Sequence, residues 1–203
     1  MRERLPAQER RRQIVEAAAD LFARKGFRGT TTREIAEAVG VSEAMIFKYF
    51  PTKEELYSAI IEAKAKTEEI LAAAAVAATS NDDAGVFRAV GQVMIETTEA
   101  DPTLMRLLLF SALEGHELSE MFFESRVRRL HEFLSTYIQQ RIADGHFRKV
   151  DPLVTARGFV GMVVHYLLIH EVFGVKRPPH SSPEEVVSTF VNIFLEGLKR
   201  RGR

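Results

Sequence analysis

The side chains with the most suggestive chemistry lie in the stretch GVSEAMIFKYF, residues 40–50. Ile46 and Phe50 are four residues apart, so they share one face of a helix and are expected to be buried. Lys48 and Tyr49 lie off that face. A core helix has no use for an exposed lysine, and a helix that faces only water has no use for exposed aromatic rings. The pattern predicts that a binding partner covers this surface.

The residues before this stretch predict a helix-turn-helix. Thr31, followed three residues later by Glu34, forms a capping box that begins a helix ending near Val39. Gly40 marks a turn, and Ser42 caps the next helix. In a helix-turn-helix the second helix enters the major groove of DNA, so its exposed positions are candidate contacts to bases and phosphates.

The distribution of charge agrees with a polyanionic partner. Residues 1–53 contain eleven Lys and Arg against seven Asp and Glu, a net charge of +4, although the whole chain is neutral. The other 150 residues therefore carry −4. A basic segment on an acidic body is the usual electrostatic footprint of a nucleic-acid-binding protein. A chance fluctuation in composition would give the same numbers.

The hydrophobic periodicity predicts an all-α protein. Apolar residues recur at spacings of three and four throughout, which is the period of a helix and not of a strand. Three motifs also pair a capping residue with a proline at the first helical position: Asp101–Pro102, Asp151–Pro152 and Ser182–Pro183. We expect about nine helices, one of which runs from 52 to about 78. They form a helix-turn-helix head in residues 1–53 and a larger bundle in residues 54–203.

Several classes of function are disfavoured by what the sequence lacks. There is no cysteine, which excludes disulfides, zinc–thiolate sites and a thiol nucleophile. No signal peptide is recognisable, and the longest apolar run, 159–169, is too short to span a membrane. His165 and His170 are five residues apart, so they do not share a helical face as metal ligands would. We expect a cytoplasmic protein without a metal or cofactor.

Residues 14–56, IVEAAADLFARKGFRGTTTREIAEAVGVSEAMIFKYFPTKEEL, resemble the tetracycline-repressor (TetR) family of bacterial transcription regulators. The plan of nine helices in about 200 residues is similar as well. The resemblance implies a ligand-responsive regulator, most often a repressor. It implies a homodimer that binds a palindromic DNA operator and that a small hydrophobic effector releases.

The resemblance also implies individual DNA contacts. Positions that match phosphate, backbone or groove contacts of the family are Thr31, Thr32, Arg33, Phe47, Lys48, Tyr49 and Lys53. Positions that match the base-facing start of the recognition helix are Ser42, Glu43, Ala44 and Met45.

Three of these positions depart from the common pattern of the family. Met45 offers only apolar contact, and Phe47 lacks the hydroxyl group of the usual tyrosine. Glu43 could accept a hydrogen bond from cytosine N4 or could repel the DNA backbone.

For the bundle, the resemblance implies effector binding and dimerisation. The residues expected to line an apolar effector pocket are Leu108, Phe110, Phe123, Met162, His165 and Tyr166. The residues expected at the dimer interface, on the last two long helices, are Phe159, Val163, Val187, Val191 and Phe194.

Two other classes of protein are alternatives to the regulator. A helical enzyme is disfavoured, because the chain has no G-x-S-x-G, no H-E-x-x-H and no glycine-rich phosphate loop. A helical scaffold whose head binds protein instead of DNA stays open. It predicts an affinity that is indifferent to salt, whereas phosphate contacts make DNA affinity fall steeply with salt.

Overall fold

The computed structural model describes residues 6–115, 117–179 and 181–199. These residues form helices and no β-strand, which confirms the predicted all-α fold. The helices are α1 (Ala7–Lys25), α2 (Thr32–Val39), α3 (Glu43–Tyr49), α4 (Lys53–Lys64), α5 (Thr67–Thr79), α6 (Asp83–Ala100), α7 (Thr103–Leu113), α8 (Glu117–Phe122), α9 (Arg128–Ala143), α10 (Pro152–Leu167) and α11 (Pro183–Leu198). Two π-helical turns, Phe123–Val127 and Leu168–Val172, follow α8 and α10.

The chain forms two compact units. The first unit comprises Met1–Ala65 and Thr103–Phe123, and the second comprises Lys66–Pro102 and Glu124–Arg203. The first unit thus includes α4, α7 and α8 in addition to the three helices of the head. The second unit consists of α5, α6, α9, α10 and α11.

The core of the first unit is built on α1. Helices α2, α4 and α7 all pack against α1. Phe22 of α1 contacts Phe27 and Tyr57, with ring centroids 5.4 and 6.0 Å apart. Ile46 and Phe50 are buried in the same core, as their spacing predicts. Because Ile46 and Phe50 are buried in this core, they determine which side of α3 faces outward.

One helix boundary differs from the prediction. The helix expected from 52 to about 78 is broken at Ala65, which is extended with ψ 122°, and α5 begins at Thr67. Neither glycine nor proline marks this break in the sequence. Helix α4 packs against α1, whereas α5 packs against α6. Tertiary packing in two separate units, and not local propensity, determines where this helix is interrupted.

The core of the second unit is aromatic. The rings of Phe87, Phe159 and Phe194 form a triangle with centroids 4.8 to 5.1 Å apart. Helix α11 approaches α6 closely at Gly91, where an added Cβ would lie 3.1 Å from Val187. A Cβ at position 91 would require the Val187 side chain to shift by a few tenths of an ångström.

This core corrects the predicted dimer interface. Four of the five side chains expected there are buried within one chain, namely Phe159, Val163, Val187 and Val191. They have no surface left for a second chain, and Phe194 packs into the aromatic triangle. The period of α10 and α11 marked their buried face correctly, but sequence alone does not distinguish a face buried in the fold from one buried between chains.

The segment Pro152–Val172 is, among the described residues, the one stretch long and apolar enough to cross a membrane by length and composition. Within it, an 18-residue window has a mean hydropathy of 1.5, and 28% of that window is buried within the fold. The predicted absence of a membrane span rested on the shorter run 159–169. The apolar surface of α10 thus exceeds what the core of one chain uses.

Candidate nucleic-acid interface and ligand cavities

Local hydrogen bonds set the geometry of α2 and α3. The Thr31 hydroxyl accepts a bond from the Glu34 amide, and the Thr31 amide donates to the Glu34 carboxylate at 2.8 Å, which completes the predicted capping box. Gly40 then adopts the left-handed conformation, φ 71° and ψ 39°, which glycine tolerates best. Ser42 caps α3 by accepting from the Met45 amide at 3.3 Å. The predicted helix-turn-helix is therefore present.

Helix α3 exposes the surface that faces away from its core residues. Met45 and Phe47 are 37% and 45% exposed, although both are large and apolar. Ala44 and Lys48 are exposed as well, whereas Tyr49 is half-buried and packs against the core of the first unit. This exposed surface lies on the second helix of the helix-turn-helix, the helix that enters the major groove in such proteins.

Two predicted contact residues bind each other. The hydroxyl of Thr32 donates a hydrogen bond to the carboxylate of Glu43, which ties the first turn of α2 to the first turn of α3. Arg33 is exposed and pairs with Glu37 one turn further along α2, at 2.9 Å. Sequence motifs could not reveal the bond between Thr32 and Glu43, because it joins residues eleven positions apart.

Lys53, a predicted phosphate contact, is bonded within the chain. Its ammonium group donates to the carbonyl oxygens of Phe27 and Thr30, the latter at 2.7 Å. It also lies over the ring of Phe27, 4.2 Å from the centroid. Burial lowers the pKa of Lys53. This lysine fastens the segment between α1 and α2 to the start of α4 and does not project from the surface.

Thr31 is similarly occupied. Both groups expected to face a phosphate, its hydroxyl and its amide, are bonded to Glu34. Glu34 in turn accepts from Lys25 at 2.6 Å. These bonds, the one from Lys25 first, lower the pKa of Glu34 to about 2. Thr31 therefore acts as a helix cap in the described structure.

Sequence reasoning overlooked Arg11 as part of this surface. Its guanidinium group lies over the ring of Phe50, 4.9 Å from the centroid, and so places a positive charge beside the end of α3. An arginine one turn before the first core residue, Ile14, was the available signal.

The second unit contains an open cleft of about 720 Å³ between α5 and α9. Its lining residues are Glu68, Leu71, Ala72, Ala75, Ala78, Arg129, Glu132, Phe133, Thr136, Tyr137 and Gln140. None of them was predicted. The available signal was the alanine-rich sequence of α5, since Ala72, Ala75 and Ala78 lie on one face and leave space against α9.

Charged groups border this cleft. Arg129 pairs with Glu68 between α9 and α5. Tyr137 donates a 2.6 Å hydrogen bond to Asp83, which also accepts from Arg141 at 2.7 Å. Burial, with Asp83 beside it, raises the pKa of Tyr137. The cleft thus combines an apolar wall with fixed polar groups, as small-molecule sites do.

The six residues predicted to line one effector pocket are divided between the two units, three in each. Met162, His165 and Tyr166 line a smaller cavity of about 330 Å³ in the second unit. Leu108 and Phe110 belong to α7 and Phe123 to the π-helical turn after α8, all within the first unit. Leu108 packs against the core of that unit. Among the described residues, no three His, Asp or Glu side chains are arranged to hold a metal ion.

A helix-turn-helix with an exposed, partly basic recognition helix defines a class of DNA-binding protein. Two family models match the chain: bacterial regulatory proteins of the tetR family over residues 14–60, and the C-terminal domain of AefR-like transcriptional repressors over residues 85–197. The chain belongs to the TetR family, as the motif predicted. It is a transcription regulator with an N-terminal DNA-binding domain.

Individual relatives are similar to this chain over most of its length. The transcriptional regulatory protein RaaS of Mycobacterium tuberculosis (strain ATCC 25618 / H37Rv) is 30% identical over 192 residues, covering 92% of this chain and 85% of RaaS. The nucleoid occlusion factor SlmA of Glaesserella parasuis serovar 5 (strain SH0165) is 25% identical, covering 85% of this chain and 87% of SlmA. AibR, whose structure has been solved with isovaleryl coenzyme A and operator DNA, is 26% identical in sequence. The two structures match with a TM-score of 0.69 over 91% of this chain and 97% of AibR.

Proposed function

We propose that this chain is a repressor that binds a palindromic operator as a homodimer and is released by a small hydrophobic effector. The observation that carries the DNA-binding part is the exposed surface of α3, where Ala44, Met45, Phe47 and Lys48 project from a helix whose other side is locked in the core. AibR, which has been solved with operator DNA, supports the same assignment. The site of action would be the cytoplasm.

The experiment is fluorescence anisotropy with a duplex taken from a random-sequence selection, measured at several salt concentrations against scrambled competitor. We expect competitor-resistant binding that weakens linearly in a plot of log affinity against log salt. Lys48→Ala should reduce the slope by about one, because it removes one phosphate contact. Failure to bind any duplex at low salt would favour the protein-binding scaffold instead.

For the effector, the proposed site is the cleft between α5 and α9. Its volume of about 720 Å³ is in the range of small-molecule sites, and Leu71, Ala75 and Phe133 supply an apolar wall. Such an effector would bind more tightly to the conformation whose two heads do not fit the operator, and this differential affinity would shift the equilibrium away from DNA. The complex of AibR with isovaleryl coenzyme A supports a ligand of mixed apolar and polar character.

Ala75→Phe tests this site by filling the cleft. In a thermal-shift screen of small hydrophobic molecules, a ligand at a hundred times its Kd should stabilise the wild type by about 2.7 kcal/mol. The same ligand should not stabilise Ala75→Phe. Ala73→Phe is the matched control, because Ala73 is an exposed position of α5 outside the cleft. Equal stabilisation of all three proteins would place the effector site elsewhere.

The homodimer is proposed to use the outward face of α10 and α11. Val154 and Ile193 are 66% and 60% exposed on these helices. Gly158, Gly161 and Gly197 are exposed as well, and a Cβ added at any of them would meet open space. Glycines on an apolar helix face allow another helix to approach closely. A second copy covering this face would also account for the high hydropathy of Pro152–Val172.

A further inference from the structure

We propose that α3 recognises its DNA site through the C5-methyl groups of pyrimidines, chiefly thymine, which Met45 and Phe47 contact in the major groove. This inference rests on the proposed DNA-binding function and specifies what the recognition helix reads. It follows from which side chains of α3 are free and which are already bonded.

The polar candidates at the start of α3 are engaged within the chain. The Ser42 hydroxyl accepts from the Met45 amide, and the Glu43 carboxylate accepts from the Thr32 hydroxyl. From the sequence, Glu43 could either accept a hydrogen bond from cytosine N4 or repel the DNA backbone. The bond to Thr32 occupies one of the two carboxylate oxygens and holds the Glu43 side chain toward the first turn of α2.

The free side chains are mainly apolar. At about 100° per residue, Ala44 and Lys48 lie nearly opposite the buried Ile46, and Met45 and Phe47 lie on the two sides of that line. Ala44 is too small to hinder a close approach of the helix to base edges. Met45 and Phe47 keep 37% and 45% of their surface exposed. The helix thus presents a small central residue between two large apolar ones, with one cation.

The major groove has one apolar group to offer. Guanine, adenine and unmodified cytosine present hydrogen-bond donors and acceptors there, whereas thymine also presents its C5-methyl group. An apolar side chain that covers that methyl group contributes favourably to the binding free energy. An apolar side chain that covers a polar base edge does not, because the edge loses hydrogen bonds to water that the side chain cannot replace. A 5-methylcytosine presents the same group. Met45 and Phe47 therefore favour a half-site with pyrimidine methyl groups at the positions they reach.

The test removes single methyl groups from the DNA. The full-length chain first selects a duplex from a random-sequence pool, and each thymine of that duplex is then replaced by deoxyuridine, which differs only in the methyl. We expect one or two thymines per half-site at which the replacement lowers affinity about threefold to fivefold, the cost of one unburied methyl. Met45→Ala or Phe47→Ala should abolish the effect at its own thymine.

Matched variants and a second base distinguish a specific methyl contact from a general loss of binding. Met121→Ala removes another exposed methionine of the first unit, and its sensitivity to deoxyuridine should equal that of the wild type. Lys48→Ala should weaken binding but keep that sensitivity. A third arm compares cytosine with 5-methylcytosine at the sensitive position. Tighter binding to the methylated base supports a methyl contact, and equal binding to the two bases opposes it.

The failures of the two proposals are distinguishable. If the selected duplex outcompetes scrambled DNA but tolerates deoxyuridine at every thymine and ignores 5-methylcytosine, the methyl readout is wrong and DNA binding stands. If no duplex is enriched from the pool and none binds at low salt, the proposed DNA-binding function is wrong and the methyl readout falls with it.

Discussion

At the scale of a residue, Lys53 shows that a family motif predicts which residue is present but not where its side chain points. The match to the family located a lysine at the start of α4 correctly, but not the direction of its side chain. The structure directs the ammonium group to the carbonyl oxygens of Phe27 and Thr30 and over an aromatic ring. Buried carbonyl groups in the segment between α1 and α2 need hydrogen-bond donors, and a lysine brought close by folding satisfies them.

Lys53→Met should therefore destabilise the head. The change keeps an unbranched side chain over the ring of Phe27 and removes the charged donor, so we expect the free energy of unfolding to fall by about 1–3 kcal/mol. Thermal and urea unfolding would measure the loss, with Lys48→Met as the exposed control that changes stability little. If Lys53→Met keeps full stability and instead lowers the salt slope of DNA binding by about one, Lys53 contacts phosphate as the family pattern implied.

Caps and turns were predictable residue by residue, whereas contacts across the chain were not. Thr31, Ser42 and Ser182 all cap helices as expected, because a cap bonds to an amide only three residues away. The bond between Thr32 and Glu43 and the stacking of Arg11 on Phe50 depend on how helices pack. A single sequence contains no direct signal for such pairs.

At the scale of the element, α2 depends on its capping box. The carboxylate of Glu34 accepts from Lys25 and from Thr31, and its pKa falls to about 2 from an ordinary value of 4.5. A carboxylate whose pKa is lowered by folding contributes stability that is present above pH 4.5. That contribution is lost as the pH falls through about 2.

Glu34→Gln tests the charge alone, because glutamine can still complete a capping box. The wild type should melt at a higher temperature than Glu34→Gln at pH 7, and the difference should shrink as the pH is lowered from 5 to 3. Circular dichroism at each pH would follow both proteins. A difference in melting temperature that stays constant over this range would contradict the ion pair with Lys25.

The elements themselves were mostly predictable, since periodicity and caps are local. The break between α4 and α5 was not, because it has no glycine or proline and is set by packing against α1 and α6. The cleft beside α5 was missed for a related reason. Alanines indicate a good helix former, and only the facing side chains of α9 reveal that their small size leaves a cavity.

At the scale of the whole molecule, α10 and α11 each have one face buried in the core and one face exposed. The face expected to pair with a second chain forms the core, and the opposite face carries large exposed apolar residues, Val154 on α10 and Ile193 on α11. Ile193→Asp should therefore convert a dimer into a monomer with an intact fold, because the Ile193 side chain is mostly exposed within its own chain. Sedimentation velocity would measure the mass, and circular dichroism would check the helices. A dimer that tolerates Ile193→Asp would move the interface to another surface.

The central claim is that the outward surface of α3 binds DNA, and Ala44→Glu tests it most directly. Ala44 is exposed, so the substitution should leave the melting temperature within about 2 °C of the wild type, as surface changes usually do. The added charge faces the DNA, and we predict at least about a hundredfold loss of affinity for the selected duplex, while Ala73→Glu on α5 retains full affinity. Unchanged DNA binding by Ala44→Glu would contradict the account, because no other described surface has been assigned that role.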